Sequence, residues 1–209
     1  MQKVGLIRAI LYLSFSIFIM GLGISLVVHA DLGTSAVTAI PLVVSELVPF
    51  TFGQVTMAFN ILLVILQVLL IGKQFPFIQY FQLIISIALG YAIDFWGIYV
   101  MHVEPPHYLL KLLMSITGCF VIAVSIVIQL KADLINNPGE GIIRAIALRF
   151  NTEFNRIKMP FDICLVILAV SISLLTLGHV VGVREGTLIS AVLVGLFMKF
   201  IQGYRKKSY

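Results

Sequence analysis

Apolar residues run along this chain in long, nearly uninterrupted stretches separated by short polar or turn-forming segments. A helix that crosses a membrane needs about 20 mainly apolar residues. Six stretches reach that length, and each is predicted to be a transmembrane helix: 7–29, 52–72, 77–101, 108–130, 159–180 and 186–204.

Two further apolar segments, 33–50 and 134–156, are long enough as helices for only about half a crossing. The second begins with 137–140, Asn-Pro-Gly-Glu, which supplies an N-cap, a proline for the first helical position and a capping-box glutamate. In the first segment, Thr34 and Ser35 supply hydroxyl caps at the matching place. Both segments are therefore predicted to form short helices, either re-entrant or interfacial.

The sequence at the start of the first short segment returns 102 positions later. The tripeptide Ala-Asp-Leu at 30–32 recurs at 132–134, and the copies align without a gap over 30–68, where Asn60 corresponds to Asp162. Such self-similarity predicts two copies of one structural unit. We place these repeats, within a single membrane domain that spans 1–209, at about 7–101 and about 108–204.

Composition and charge fix the class of protein and its predicted orientation. Hydrophobic residues make up 60% of the chain and charged residues 11%, which excludes a soluble domain. With the N-terminus inside and six spans, only Lys111 and Arg184 of the 14 lysines and arginines fall outside. Both termini are therefore predicted to be cytoplasmic. This orientation accounts for the net charge of +5, so no nucleic-acid partner is predicted. The predicted partner is the lipid bilayer.

Each copy contains three spans, so the second copy is predicted to enter the membrane upside down relative to the first. Inverted repeats with interrupted helices are typical of secondary transporters, which bind substrates and ions near the membrane centre beside half-helix ends. Two short helices entering from opposite sides would direct unpaired N–H groups at one place, which suits an anionic group. We therefore expect the starts of the two short helices to converge.

The candidate substrate- or ion-binding residues lie at these helix starts and at equivalent points of the second and fifth spans. They are Asp31, Thr34, Ser35, Asn60, Asp133, Asn136, Asn137 and Asp162. The two aspartates before the short helices could instead be solvated interfacial carboxylates. Asp162 could equally pair with Arg156 or Lys158 at headgroup level.

The other polar residues favour structural roles. Glu140 is expected to serve its own helix cap. Four glutamines could line a polar path or, in the preferred interpretation, hydrogen-bond helices together; they are Gln54, Gln67, Gln82 and Gln129. His102, Glu104 and His107 lack a recognised metal-ligand spacing, and Walker, nucleophile-elbow and His-Glu-x-x-His motifs do not occur. No enzymatic activity, cofactor or metal is predicted.

Residues 23–35 followed by Ile40-Pro41 resemble the opening of the YczE/YyaS/YitT-type bacterial membrane proteins, and 186–191 followed by Gly195 resembles a further family signature. The matching positions are Asp31, Gly33, Thr34, Ser35, Asn60, Gly186 and Thr187. Ala36 stands where many relatives carry proline. The resemblance implies a bacterial inner-membrane location. Members of that family are mostly uncharacterised, and transport is only the usual supposition for them.

The leading hypothesis is a small secondary transporter or exporter of a polar or anionic organic solute, working by alternating access and coupled to protons or sodium. The alternative is a non-transporting membrane partner that assembles or regulates another protein. Membrane-embedded catalysis ranks last because no nucleophile–base pair stands at a suggestive spacing. Self-association into a homo-oligomer stays open.

Overall fold

The computed structural model describes residues 5–102, 107–132 and 135–206, and within these ranges the chain is helical without strands. Helices suit an apolar chain because they satisfy every backbone polar group internally. Eight α-helices are described: α1 (Leu6–His29), α2 (Ala36–Ser45), α3 (Phe52–Ile71), α4 (Gln82–Val100), α5 (Tyr108–Ala132), α6 (Pro138–Arg149), α7 (Phe154–Leu177) and α8 (Glu185–Lys206). Short 3₁₀ turns at Gly72–Gln74 and Phe77–Phe81 join α3 to α4.

Five helical segments in the described ranges are long and apolar enough to cross a membrane. They comprise α1, α3, α5, most of α7, and α4 with the 3₁₀ turn before it. The protein is therefore a multi-pass helical membrane protein, as its composition predicted. The last helix, α8, covers the sixth predicted span but is not among the five.

The two short helices occur where they were predicted, although their caps differ from the prediction. Ser35 and Asn137 occupy the N-cap positions, but neither side chain makes the expected bond to the helix backbone. The hydroxyl of Ser35 instead lies 2.7 Å from that of Thr38, and the amide of Asn137 is directed at the sulfur of Met20. The capping bonds predicted for these two side chains are therefore not formed.

Helix α1 lies along α5 and also contacts α4, while α5 contacts α8. At the α1–α5 contact, Gly23 faces Gly118, and Ser125 Oγ donates a hydrogen bond of 2.8 Å to the carbonyl of Ser16. These pairs join ascending positions in α1 to descending positions in α5, so the two helices run antiparallel. Small residues here let the backbones approach closely.

Each short helix packs against a long helix from the other half of the chain. On one side, α2 rests on α7 through the buried residues Ala39, Val43 and Ala169. On the other side, α6 packs on α3 through its own buried residues Ile142 and Ile143, which contact Leu63 of α3. The arrangement interlocks the two halves.

The starts of the two short helices meet. Val37 in the first turn of α2 packs against Gly139 in the first turn of α6, where an added Cβ would lie 3.2 Å from the valine side chain. Val37 also joins the apolar cluster around Leu63. The helix starts therefore lie against each other, as the repeat analysis predicted.

Candidate functional site

A cavity of about 210 Å³ lies beside the start of α6. This volume is below the roughly 300–1,000 Å³ of pockets for drug-sized ligands, so the cavity suits a small solute. We call it the polar cavity because most of its lining side chains are polar: Gln79, Gln129, Asn136, Asn137, Glu140 and Arg144, together with Ile126, Leu130 and Ile135.

Two amide groups of the polar cavity have a weak acceptor as their neighbour. Gln129 Nε2 lies 3.9 Å from the sulfur of Met20, and Asn137 Nδ2 lies 3.8 Å from the same atom. A thioether accepts hydrogen bonds only weakly. Within the part of the chain that the structure describes, both amide NH₂ groups thus have only this weak acceptor and are available to hydrogen-bond a ligand.

The polar cavity also contains one acidic and one basic side chain. Glu140 and Arg144 stand four residues apart on α6, a spacing at which such side chains commonly pair. Among the described residues, neither of them forms an ion pair. The guanidinium of Arg144 lies 5.8 Å from the ring centre of Phe154, a cation–π distance. Two separate charges of opposite sign thus border one small space.

A network of glutamine amides holds the start of α6 in place. Gln67 Nε2 donates to the carbonyl of Pro138 at 3.3 Å and to Gln82 Oε1 at 3.1 Å, and Gln82 Nε2 returns a bond of 3.2 Å. Gln82 Nε2 also donates to Gln79 Oε1, which accepts the backbone N–H of Asn136. The preferred interpretation of Gln67 and Gln82, hydrogen bonding between helices, is confirmed.

At the start of α2, Asp31 is part of an exposed ion cluster. Its carboxylate lies 3.5 Å from Lys111 Nζ and 3.3 Å from a guanidinium nitrogen of Arg184, and the same guanidinium donates to the backbone carbonyl of Asp31. The Asp31 side chain is 66% exposed. These two cations are the pair that the charge count placed on the outer side. Asp31 reduces the repulsion between these two cations, and Arg184 also pairs with Glu185 at 3.8 Å.

Tight backbone contacts lie beside this ion cluster. The N–H of Thr34 donates to the carbonyl of Gly182 at 2.9 Å, and the N–H of Gly186 donates to the carbonyl of Leu32 at 2.6 Å. Thr34 is buried, and its hydroxyl lies 2.7 Å from that of Thr38. We call residues 31–34, together with Lys111 and 182–187, the Asp31 clasp. It ties the start of α2 to the loop before α8.

Gly33 is required at the centre of the Asp31 clasp. It has a φ of +112°, which favours glycine, and an added Cβ would lie 2.9 Å from the backbone nitrogens of Arg184 and Thr187. We expect Gly33→Ala to lower the thermal unfolding midpoint of the purified protein. Gly178→Ala is the matched control, since Gly178 has a φ of +74° with no neighbour within 4 Å. Equal losses at the two positions would show that the contacts of the clasp contribute nothing to stability.

The remaining candidates lie apart from the polar cavity or outside the described residues. Asn60 is buried in α3, seven residues after Gly53 on the face that meets α4. Asp162 pairs with Lys158 at 2.8 Å, the interfacial alternative raised from the sequence. Asp133 lies outside the residues that the structure describes. The structure thus brings Asp31, Thr34 and Ser35 together at one helix start, and Asn136 with Asn137 at the other.

Several residues of these sites were not proposed from the sequence. Gln79 and Arg144 line the polar cavity, and Lys111 and Arg184 complete the Asp31 clasp. The sequence does contain a feature that could have identified Lys111 and Arg184. They are the only two basic residues predicted outside, and a nearby carboxylate stabilises such a pair of cations. Over the described residues, no cluster of three or more His, Cys, Asp or Glu side chains could hold a metal ion.

The family assignment rests on a match over nearly the whole chain. Residues 7–203 fit the model of DUF6198, described as a family of unknown function. The chain belongs to this DUF6198 family. The match does not confirm the YczE/YyaS/YitT-type resemblance. No curated protein and no solved structure matches this DUF6198 chain.

Proposed function

We propose that this chain is a small secondary transporter of the bacterial inner membrane, coupled to protons or sodium and working by alternating access. In this proposal α8 is the sixth span, the short helices are re-entrant, and both termini are cytoplasmic. The observation that carries the proposal is the polar cavity, which lies beside the start of α6, the helix start that contacts α2, and which suits a small polar solute.

The order of the helices supports an inverted repeat. The starts of α5, α6 and α7 follow those of α1, α2 and α3 by 102 positions each, the same offset as the sequence repeat. The first helices of the two halves, α1 and α5, run antiparallel, as inversion requires.

Equivalent contacts recur across the two halves, as expected for a two-fold relation. Under the offset of 102 positions, Ser16 corresponds to Gly118, and Ser125 corresponds to Gly23. The Ser16–Ser125 contact is therefore the repeat equivalent of the Gly23–Gly118 contact. In the same way, the packing of α6 on α3 corresponds to that of α2 on α7. One contact departs from this relation, because α3 packs along α4 whereas the described residues of α7 and α8 make no comparable contact.

The two helix starts differ in a way that supports alternating access. The backbone N–H of Thr34 donates to the backbone of Gly182, whereas that of its repeat equivalent Asn136 donates to the side chain of Gln79. The Asp31 clasp is tightly packed, and the polar cavity occupies the equivalent place in the other half. In the proposed orientation this is a conformation closed on the outside and open on the inside.

Transport is tested by reconstituting the full chain in proteoliposomes. A panel of small labelled solutes is offered with and without a proton or sodium gradient, and empty liposomes supply the background. We expect gradient-dependent flux of at least one polar solute. Background flux for every solute would overturn the proposal and favour the non-transporting partner.

We expect Asp31→Asn to open the outer side more often. The change removes two exposed ion pairs, worth together less than about 1 kcal/mol, or roughly fivefold in an equilibrium. The measurement is the rate at which an impermeant maleimide labels Ser35→Cys in a Cys164→Ser background. The rate should rise by up to about fivefold.

Glu46→Gln is the matched control for this labelling experiment. It removes another exposed carboxylate close to α2, and Glu46 has no ion pair among the described residues. An increase of the same size in both variants would point to net charge rather than to the clasp. Unchanged or slower labelling in Asp31→Asn would contradict a closing role for Asp31.

A further inference from the structure

We propose that the polar cavity binds a small zwitterion, a molecule that carries one carboxylate-like group and one ammonium group. This inference rests on the proposed function, since it names the class of substrate for the same cavity. It rests on the side chains that border the cavity and on the ion-pair partners that Glu140 and Arg144 lack among the described residues.

The anionic end of such a ligand has suitable donors. Gln129 and Asn137 direct amide N–H groups at a thioether, and Arg144 offers a planar guanidinium that matches a carboxylate. A carboxylate would replace the weak sulfur acceptor with a strong one. Hydrogen bonds that involve an ionised group are also the stronger class.

Glu140 decides against a simple anion. An anion placed beside Arg144 would also stand near the Glu140 carboxylate, one helical turn away in the same small cavity. A like charge at this distance disfavours binding, whereas an ammonium group on the same ligand would turn the repulsion into attraction. A simple cation meets the converse problem with Arg144. Only a ligand with both charges satisfies both side chains.

The binding test uses the full chain in nanodiscs of phosphatidylglycerol, with the thermal unfolding midpoint as readout. The probes are a mixture of α-amino acids with uncharged side chains, the same acids without the amino group, and the same amines without the carboxylate. We expect the zwitterions to stabilise the wild type at concentrations about tenfold lower than either singly charged set, the scale of one charge-assisted hydrogen bond.

Charge-neutralising variants make the test specific. In Glu140→Gln, the acids without an amino group should stabilise the protein as effectively as the zwitterions do. In Arg144→Gln, the amines without a carboxylate should do so. Arg149→Gln on the same helix and Glu153→Gln are matched controls that leave the cavity lining intact and should keep the preference. Arg144→Lys retains the charge and should also keep it, which covers the case that Arg144→Gln does not fold. No stabilisation by zwitterions, or an unchanged preference in both cavity variants, would overturn the inference.

A phosphatidylethanolamine headgroup carries the same two charges, so a second set of nanodiscs contains that lipid. If the headgroup is the ligand, this lipid alone will stabilise the wild type but not Glu140→Gln, and added amino acids will have no further effect. That result would show that the cavity binds a zwitterion, and it would overturn the inference that this zwitterion is a free solute.

Flux separates this inference from the proposed function. Zwitterion binding without gradient-dependent flux would leave the inference standing and overturn transport. Gradient-dependent flux with equal preference for the three probe sets would leave transport standing and overturn the zwitterion inference.

Discussion

Replacing Gly118 with valine should destabilise the protein by more than about 2 kcal/mol, because it drives α1 and α5 apart. A Cβ added at Gly118 would lie 2.6 Å from a methyl group of Val27 and 2.8 Å from the carbonyl oxygen of Gly23. A backbone oxygen cannot move aside as a flexible side chain can, and overpacking of this kind typically costs about 1–3 kcal/mol or more. For a chain of this length the loss corresponds to a fall of roughly 4–8 °C in unfolding midpoint.

Gly97→Val is the control, because Gly97 lies in α4 with nothing within 4 Å of an added Cβ. Valine is a better helix former than glycine, so this variant should be neutral or slightly stabilised. The comparison uses thermal unfolding in one detergent, followed by far-ultraviolet circular dichroism. If both variants lose the same stability, the α1–α5 contact does not depend on close backbone approach.

Most of the helical architecture could be predicted from the sequence, because in a membrane the length of an apolar run nearly determines the length of a helix. Both short helices begin where the Ser35 and Asn137 signals placed them. The contacts of these two side chains differ from the predicted caps. Ser35 meets Thr38 one turn later in the same helix, whereas Asn137 meets Met20 of α1, a contact that depends on tertiary packing.

The candidate site could be predicted only in part, for a related reason. The repeat identified Asn136 and Asn137, which line the polar cavity, because the start of a short helix is a local feature of the sequence. Gln79 and Arg144 reach the same cavity from positions 57 residues before and 8 residues after Asn136, and no local pattern marks them. Asp31 was found, but its cations come from α5 and from the loop before α8, and only the fold brings these together.

Gln67→Leu should cost about 1–3 kcal/mol and displace the start of α6. Leucine is close to glutamine in size, so the loss comes from hydrogen bonds rather than from packing. The variant leaves the amide of Gln82, which is 0% exposed, without its reciprocal partner, and it removes the donor from the carbonyl of Pro138. A buried polar group without a partner costs about 1–3 kcal/mol. Hydrogen bonds between membrane helices average only about 0.6 kcal/mol, but all three bonds of the Gln67 amide are lost here.

The double variant Gln67→Leu/Gln82→Leu decides whether the amides act as one unit. It removes both members of the reciprocal pair, and Gln79 Oε1 keeps the N–H of Asn136 as its donor. We therefore expect the loss of stability in the double variant to be smaller than the sum of the losses in the two single variants. The difference should be about 0.5–3 kcal/mol, the usual coupling within a hydrogen-bond network. Strict additivity would mean that apolar packing around Leu63, rather than the glutamines, positions α6 and the cavity beside it.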